Sequence, residues 1–391
     1  MAKKRWRNKG LQKTSHLTVN GWVEIHRRVY WLSGQGTAAP ADRWLGIAAQ
    51  RYSPGVREMC CREAGTDSFR RAAEDLARIG QIQISHETMR RIVEAEAAVA
   101  AGCQQQGRLR PEWSARDCRD PAAESTCVIA GADGVKVPLV TEVEKAKRRQ
   151  LRRRRGPKAR RRRRRMARGS DQAYKEFKLA TFYDPSKDHQ YTIGTSGNHE
   201  VLGRLMRRVA GWIDLGAADT SYSVSDGADW IRRQFNQRLP MLEVNILDYF
   251  HLREHVVKAS QRVFGESSPE AEAWREEMIG VILEKGAWAF LDQVGELRRS
   301  LRSKTKRKAL EKLRDYVGKR VQMADYPAFR AKGYDIGSGP TEACCKTLTL
   351  RLKGQGMRWD RRNAEGIMSL AAIRSSRLWD RYWDHQRKQV A

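Results

Sequence analysis

The segment between Lys145 and Arg168 contains 16 Lys and Arg residues and no acidic residue. Its densest runs are RRRR at 152–155 and RRRRRR at 160–165. Charges of one sign at this density repel each other and bring few apolar side chains to bury, so this Arg-rich tract cannot belong to a packed core. We expect it to be disordered until it meets phosphate groups, with the folded parts of the chain on either side.

The whole chain is also strongly basic, with a net charge of +30 over 391 residues. Such a surplus destabilises a compact state unless a polyanion relieves it, and nucleic acid is the first candidate, ahead of an acidic membrane surface. Hydrophobic residues make up 40% of the chain, which excludes wholesale disorder and is enough for two or three domains.

Several classes of protein are excluded by what the sequence lacks. No run of 18 apolar residues is present, so no membrane span is expected, and the basic N-terminus has no apolar segment of a secretory signal behind it. The seven Cys residues form no CxxC pair, which argues against a zinc ribbon or a disulfide framework. A cytoplasmic, nucleoid-associated protein fits these features.

Residues 68–100 have the pattern of a helical hairpin. Apolar residues recur at helical spacing from Phe69 to Ile79, Gly80 ends that helix, and Ser85 caps a second one. A helix, a short turn and a helix are the outline of a helix-turn-helix, in which Arg90 and Arg91 would face a major groove. Any helical hairpin gives the same pattern, and that alternative stays open.

From residue 127 the pattern changes to an α/β fold. Strands are predicted over 127–140, 177–184, 190–196, 221–226 and 242–250, with helices over 199–214 and 230–238 between the later ones. Three consecutive strands followed by strands alternating with helices predict a mixed sheet, compatible with a ribonuclease-H-like core. Residues 251–320 are helical throughout, and further helices start near Pro340 and cover 362–386.

Three carboxylates occupy similar local settings in this region. Asp133 and Asp226 each end a predicted strand and precede Gly, and Glu342 lies in the first turn of the helix opened by Pro340. Hard oxygen ligands of this kind hold Mg²⁺, and two such ions can drive chemistry at phosphorus. The alternative is ordinary turn and capping chemistry, since ADG and SDG are common turn sequences.

A second pair, Asp248 and His251, lies where a strand is predicted to turn into a helix. A D-x-x-H pair can bind a metal, or the acid can orient the imidazole as a hydrogen-bonded brace. We favour the brace. From spacing alone, Asp248 instead of Asp226 could be the second metal ligand, and this alternative is retained.

Several segments together resemble the DDE transposases of bacterial insertion sequences, most closely the ISKra family, a relative of the Mutator-type transposases. The segments are ADGVKVP (132–138), SDGADWI (225–231), LDYFHLREH (247–255), IGSGPTEACCKTLTLRLKGQGMRW (336–359) and, more weakly, SFRRAAEDL…ISHETMRR (68–91). The resemblance implies a ribonuclease-H-like core with an all-helical insertion before the last acid. It also implies Asp133, Asp226 and Glu342 as catalytic, metal-binding residues, with Asp248 and His251 as supporting residues.

This resemblance divides the chain into a small N-terminal module (1–60), a helix-turn-helix region (61–102), a linker (103–126), a catalytic core (127–255 and 328–391) and a helical insertion (256–327). The Arg-rich excursion (145–168) lies within the core. DNA-binding residues are expected in the helix-turn-helix, the Arg-rich tract and the last segment: Arg90, Arg91, Arg152, Arg153, Arg154, Arg155, Arg160, Arg161, Arg162, Arg163, Arg164, Arg165, Arg358 and Trp359. For Trp359 the alternative is a core position.

The sequence therefore predicts a DNA transposase that binds two Mg²⁺ (or Mn²⁺) ions, cuts the ends of its element and joins the 3′-OH to target DNA. Its partner is double-stranded DNA, at both the transposon ends and the target, and action on two ends favours a homodimer or a higher oligomer. The alternatives are a DNA-binding protein or domesticated regulator that does not cut, and a ribonuclease-H-like nuclease without strand transfer.

Overall fold

The structure, a computed structural model, describes residues 5–45, 47, 51–153, 175–354 and 357–388. The strands are β1 Arg7–Thr18, β2 Gly21–Leu32, β3 Gly36–Ala38, β4 Cys127–Val137, β5 Lys175–Tyr183, β6 Gln190–Thr195, β7 Thr220–Ser225 and β8 Val244–Leu247. The helices are α1 Pro40–Trp44, α2 Pro54–Ala64, α3 Phe69–Ile79, α4 His86–Gln106, α5 Glu142–Arg153, α6 His199–Trp212, α7 Asp229–Arg238, α8 Tyr249–Phe264, α9 Pro269–Glu284, α10 Gly286–Ser300, α11 Lys304–Gly318, α12 Tyr326–Ala331, α13 Gly339–Lys353, α14 Arg361–Ser375 and α15 Trp379–Lys388.

The described residues divide into two compact units. The first lies within Met1–Leu109, Val137–Lys175 and Thr347–Ala391, and the second comprises Arg110–Lys136 and Glu176–Lys346. All three acids of the predicted triad belong to the second unit. No helix in the described part of the chain is long and apolar enough to cross a bilayer.

The first unit combines a three-stranded antiparallel sheet with a group of helices. The sheet is formed by β1, β2 and β3, in a segment for which the sequence predicted no structure. Helices α2, α3 and α4 pack together, and α4 crosses α14 so closely that a Cβ on Gly366 would lie 2.9 Å from the backbone of Ala97. The glycine thus permits the tightest helix contact of this unit.

Helices α3 and α4 lie at the positions predicted for the helix-turn-helix. Ser68 and Ser85 accept hydrogen bonds from the third residue of each helix, and Gly80 is the C-cap of α3. The local pattern therefore predicted both helices, the end of α3 at Gly80 and the Ser85 cap of α4. The assignment of this hairpin to DNA recognition remains a prediction.

The second unit is built on a five-stranded mixed sheet with the order β6-β5-β4-β7-β8. β5 and β6 are antiparallel, whereas β4 and β7, and likewise β7 and β8, are parallel. Helices α8 to α12 pack against β7 and β8 through one apolar cluster that includes Val224, Ile246, Val256, Phe290 and Leu313. The parallel edge of the sheet is thereby buried beneath helices, as parallel strands require.

Residues 103–126 were expected to form a linker, but they are part of the folded structure. Its first residues complete α4, and within the second unit Ala115 and Cys118 are fully buried. The backbone N–H of Ala115 donates to the carbonyl of Ile213 at 2.6 Å. A composition rich in Gly, Pro and Ser did not reveal these tertiary contacts, which make the segment part of the packed unit.

Two further boundaries differ from the prediction. The strand expected over 242–250 ends at Leu247, because Asp248 caps α8, which begins at Tyr249. The single helix expected over 362–386 is interrupted between α14 and α15, where Arg377 adopts a left-handed conformation with a φ of 56°. Side-chain capping and a local backbone reversal decided these ends, and apolar periodicity reports neither.

The Arg-rich tract was expected to be disordered throughout, but its first part is helical. Helix α5 extends to Arg153 and begins with acidic residues, Glu142 and Glu144, in its first turn. The N-terminal end of a helix favours such negative charge, which offsets part of the repulsion among the cations that follow. Residues 154–174, with the rest of the tract, lie outside the described residues.

Candidate functional site

Three aspartates follow one another across the parallel part of the sheet. Gly131 of β4 pairs with Val224 of β7, so Asp133 and Asp226 each lie two residues beyond a paired position. Asp248 follows the pair formed by Ser225 and Leu247. Since adjacent strands are about 4.8 Å apart, the register brings these carboxylates together at one end of the sheet. Asp226 directly follows β7, as expected, and Asp248 directly follows β8, whereas β4 continues past Asp133 to Val137.

The Asp133 side chain is partly buried, and its Oδ1 accepts a hydrogen bond from the N–H of Gly134 at 2.6 Å. Burial, and then the negative charge of Asp226, raise the pKa of the Asp133 carboxyl. The Gly134 N–H, the Cys345 thiol and nearby His251 act in the opposite direction. The rise identifies Asp226 as a close electrostatic neighbour of Asp133, as two carboxylates sharing one site require.

Helix α13 carries Glu342, the last acid of the predicted triad, in its first turn. Its Thr341 packs directly on β4, where a Cβ on Gly131 would lie 1.8 Å from the Thr341 Oγ1 atom. One turn beyond Glu342, the Cys345 thiol hydrogen-bonds to Asp133. Residues three apart share a helix face, so Glu342 and Cys345 are on the side of α13 near Asp133. The close approach at Gly131 therefore fixes where the first turn of α13, which contains Glu342, packs on β4.

Glu342 lies within reach of His251, the fourth residue of this cluster. Its Oε1 is 3.6 Å from His251 Nε2 and 3.3 Å from the Ser338 Oγ atom, whose single proton is donated to Asp248. The Glu342 side chain is 54% exposed and that of His251 39%. These two side chains, unlike the buried Asp248, are therefore open to a substrate or an ion from solvent.

Asp248 is completely buried, and both of its carboxylate oxygens accept hydrogen bonds. Oδ1 accepts from the backbone N–H groups of Phe250 and His251 at 2.6 and 3.3 Å. Oδ2 accepts from Ser338, through its N–H at 2.9 Å and through its Oγ. These four donors make Asp248 a brace between the start of α8 and the segment before α13.

The sequence predicted that Asp248 would orient the imidazole of His251, but the carboxylate holds the backbone of that residue instead. Asp248 bonds the backbone of His251, while the Nε2 atom of the imidazole faces Glu342. One ligand atom from each of Asp248, His251 and Glu342 lies within 4.8 Å of the others. Because the Asp248 oxygens are already engaged, the exposed pair Glu342 and His251 is better placed to receive an ion.

Helix α11 holds the loop that carries Asp226. The Tyr316 hydroxyl donates to the Asp226 carbonyl oxygen at 3.2 Å, and Arg320 Nε donates to the Gly227 carbonyl oxygen at 2.9 Å. Gly227 has a φ of +69°, and a Cβ there would lie 2.7 Å from Arg320 Nε. The glycine is therefore required by both its conformation and its neighbour.

His255 and Arg320 complete this support. His255 stacks on Tyr316 at 3.7 Å between ring centroids, and the Arg320 guanidinium lies 4.3 Å from the centroid of the same ring. Burial, and then the charges of Lys258 and Arg320, lower the pKa of His255. Sequence reasoning missed Tyr316 and Arg320, because about 90 residues separate them from Asp226 and no local pattern marks them.

The donor set suits a hard divalent cation. In the described part of the chain, no Lys or Arg lies within ion-pair distance of Asp133, Asp226 or Glu342. The cation Lys178 on the neighbouring strand β5 pairs with Glu176 and stacks on Trp230 at 4.1 Å. Carboxylates without basic partners, in a chain of net charge +30, have the chemistry that Mg²⁺ or Mn²⁺ prefers, although the ligand atoms that lie within 4.8 Å of one another belong to Asp248, His251 and Glu342.

A second group of potential ligands lies elsewhere in the second unit, formed by Cys118, Asp184 and His189. Asp184 is buried and accepts hydrogen bonds from the His189 N–H at 3.1 Å and from Ser186 Oγ at 3.0 Å. Its Oδ2 also lies 2.8 Å from His189 Nδ1. These contacts identify Asp184 as the brace of the turn between β5 and β6.

The predicted DNA-binding residues belong to the first unit. Arg90 is bonded to Glu87 and Glu94, while Arg91 is 72% exposed and lies 3.8 Å from Glu87. Of the tract, Arg152 and Arg153 are in α5. Outside the described residues lie Arg154, Arg155, Arg160, Arg161, Arg162, Arg163, Arg164 and Arg165. Arg91 thus remains available to a polyanion, whereas the charge of Arg90 is already neutralised.

Trp359 was expected to bind DNA, but the structure places it in the core, while its neighbour Arg358 is exposed. The Trp359 side chain is only 4% exposed, meets Phe69 edge-on at 5.9 Å and lies 5.2 Å from the Arg351 guanidinium. The ring is therefore enclosed and cannot stack on a base in this structure. Residue type alone could not separate stacking from packing, since both use the same aromatic face.

Comparisons with known proteins give a family match and a structural similarity. Residues 1–156 match the model of a family described as "Uncharacterised protein family (UPF0236)". No curated protein matches the sequence. Among solved structures, the chain is similar to the "Drosophila P element transposase strand transfer complex", with 10% sequence identity and a TM-score of 0.37. That similarity covers 84% of this chain and 93% of the other.

Proposed function

We propose that this protein is a DDE-type DNA transposase of an insertion sequence of the ISKra type, with Asp133, Asp226 and Glu342 as its catalytic acids. The observation that carries the proposal is the register of Asp133 and Asp226 on adjacent parallel strands. The sheet order, a run of three sequential strands followed by two parallel ones, is compatible with a ribonuclease-H-like core. The all-helical segment α9 to α12 precedes the last acid.

The three acids would hold Mg²⁺ or Mn²⁺, with His251 beside Glu342 and Asp248 as the buried brace. When bound, two such ions stabilise the attacking and the leaving oxygens at phosphorus. Burial of Asp133 beside Asp226 raises the pKa of its carboxyl, so the ionised form is disfavoured relative to an exposed Asp, and a bound cation would offset that cost. Tyr316 and Arg320 fix the backbone that carries Asp226 and act as positioning residues.

In the proposed reaction, water attacks the phosphodiester at the end of the element and leaves a 3′-OH on that end. This hydroxyl then attacks a phosphodiester of the target, forming one new bond and releasing a 3′-OH on the target strand. The substrate is double-stranded DNA. The helix-turn-helix region would recognise the ends, the Arg-rich tract would neutralise phosphates, and a dimer would hold two ends.

The test measures cleavage and strand transfer on a duplex that carries the ends of the element, in the presence of Mg²⁺ or Mn²⁺. Asp226→Asn and Asp133→Asn should reduce both activities by at least a hundredfold. Asp229→Asn is the matched control, because this aspartate lies three residues from Asp226, is 71% exposed and should retain full activity.

Each alternative predicts a different result. Undiminished cutting by Asp226→Asn would refute the assignment of the acids. Cutting without joining of a pre-cut end would favour a nuclease, and binding without cutting at any metal concentration would favour a regulator.

A further inference from the structure

A basic groove runs between helices α8 and α11 of the helical segment. Its walls carry two cations from each helix, spaced four residues apart: Lys258 and Arg262 on α8, and Lys308 and Lys312 on α11. Ala259 and Ala309 line the groove between them. Short side chains at these positions leave the groove open between two rows of long cationic ones.

The charges on these walls are largely uncompensated. Among the described residues, Arg262, Lys308 and Lys312 form no ion pair with a carboxylate. Lys258 meets Glu254 at 3.1 Å, but both side chains are more than 60% exposed, so solvent screens the pair. The groove therefore presents a positive field to solvent, and a polyanion would relieve its self-repulsion.

Glu311, which lies between Lys308 and Lys312 on α11, does not neutralise the groove. It pairs with Arg298 of α10 at 3.2 Å. Glu311 is thus engaged on the α10 side, while the two lysines line the groove.

Helix α8 connects the groove to the acidic cluster. Helix α8 begins beside that cluster with His251 and reaches Lys258 and Arg262 after seven and eleven residues, which corresponds to about 10 and 16 Å along the helix. His255 lines the groove between them and stacks on Tyr316, whose hydroxyl bonds the Asp226 carbonyl. A strand whose phosphodiester lies at the acids would therefore have its flanking backbone within reach of this groove.

We propose that the groove between α8 and α11 binds the phosphate backbone of double-stranded DNA next to the reacting phosphodiester. The inference rests on the proposed function, since it is the acid site that makes DNA the occupant. Exposed Lys and Arg side chains over an apolar floor neutralise phosphates without reading bases, so the contact is independent of sequence. The helical segment is thereby assigned a role that the sequence did not reveal.

The test is duplex binding by the full-length protein in EDTA, measured by fluorescence anisotropy over a range of salt concentrations. Each phosphate contact contributes about 0.9 to the slope of log K against log salt. Arg262→Ala with Lys308→Ala should therefore lower the slope by about 1.8 and weaken binding at low salt by about tenfold, for duplexes of any sequence. Adding Lys312→Ala should lower the slope further.

Lys285→Ala with Arg330→Ala is the matched control, since it also removes one exposed Lys and one exposed Arg from the second unit. It should keep the wild-type slope. Far-UV circular dichroism and thermal melting test whether both double variants fold. Ala has a high helix propensity, so the substitutions in α8 and α11 should preserve these helices.

An unchanged slope in the groove variant, or an equal loss in the control, would overturn the proposal. Displacement of the duplex by poly-L-glutamate at equal charge concentration would also overturn it, by assigning the groove to acidic polypeptides. The assay contains no metal and measures no cleavage, so its result does not depend on whether Asp133, Asp226 and Glu342 are catalytic. Failure of the catalytic assignment and failure of the groove proposal can therefore be told apart.

Discussion

The Tyr316 hydroxyl donates a hydrogen bond to the main-chain carbonyl of Asp226 over 3.2 Å, across 90 residues of sequence. Together with Arg320, two residues beyond the end of α11, it attaches this helix to the loop that carries the central acid of the candidate site. Helix α11 therefore acts on the site by holding the backbone at Asp226 and Gly227.

Tyr316→Phe should impair metal use more than DNA binding. The loss leaves a carbonyl without its partner, which costs about 1 kcal/mol of stability and allows the Asp226 loop to shift. We expect a several-fold higher Mg²⁺ concentration for half-maximal cleavage, with unchanged duplex affinity in EDTA. A variant that changed DNA affinity and kept the metal requirement would contradict a positioning role.

Removing the two neighbouring acids Asp226 and Asp248 should change stability in opposite directions. Asp248→Asn places an amide among four donors in a buried site and should lower the free energy of unfolding by about 3 kcal/mol. Asp226→Asn relieves repulsion with Asp133 and should raise the free energy of unfolding slightly in EDTA. Urea denaturation of both variants measures the two changes. Loss of stability in both would make Asp226 a structural residue.

The pH dependence of stability should show the raised pKa of Asp133. The folded chain holds this proton more tightly than the unfolded chain, so the contribution of Asp133 to stability is greatest below its ordinary value of 3.8. It decreases as the pH rises through the raised pKa. In EDTA, the wild-type protein should therefore lose stability relative to Asp133→Asn as the pH rises from 3.8 through the raised pKa.

With Mg²⁺ present, the same comparison should reverse. The cation binds the ionised carboxylate, so stabilisation by Mg²⁺ should increase with pH and be much smaller in Asp133→Asn. Urea denaturation at several pH values, with and without Mg²⁺, measures both trends. Stabilisation by Mg²⁺ that was equal in wild type and variant would exclude Asp133 as a ligand.

Gly131→Ala should displace α13 and with it Glu342. The added methyl group would lie 1.8 Å from Thr341 Oγ1, an overlap that the packed helix cannot absorb without moving, at a cost of about 1–3 kcal/mol. Cleavage should fall more steeply than stability. Adding Thr341→Ala should restore part of the activity, because the nearest remaining Thr341 atom among those contacts is its Cβ, at 2.9 Å.

Gly280→Ala is the control for this prediction. No atom lies within 4 Å of its Cβ position, and it is within α9, so alanine should stabilise the protein slightly and leave activity unchanged. Melting temperature and cleavage rate of the four proteins decide the outcome. Full activity of Gly131→Ala would show that the β4–α13 contact does not position Glu342.

The sequence by itself determined the elements whose signals are local. Ser85 predicted the start of α4, because a cap bonds the backbone three residues away. Gly after Asp226 likewise indicated the turn next to that carboxylate. Each of these features depends only on residues within one helical turn or one strand, so it can be recognised in the amino-acid sequence alone.

Only the tertiary structure decided what those elements do together. The register of β4 and β7 brought two acids into one site, and burial with four donors made Asp248 a brace instead of an open ligand. Trp359 became a core residue and α11 a support for Asp226. Each depends on groups distant in sequence, whose burial and hydrogen-bond partners exist only once the strands have paired and the helices have packed.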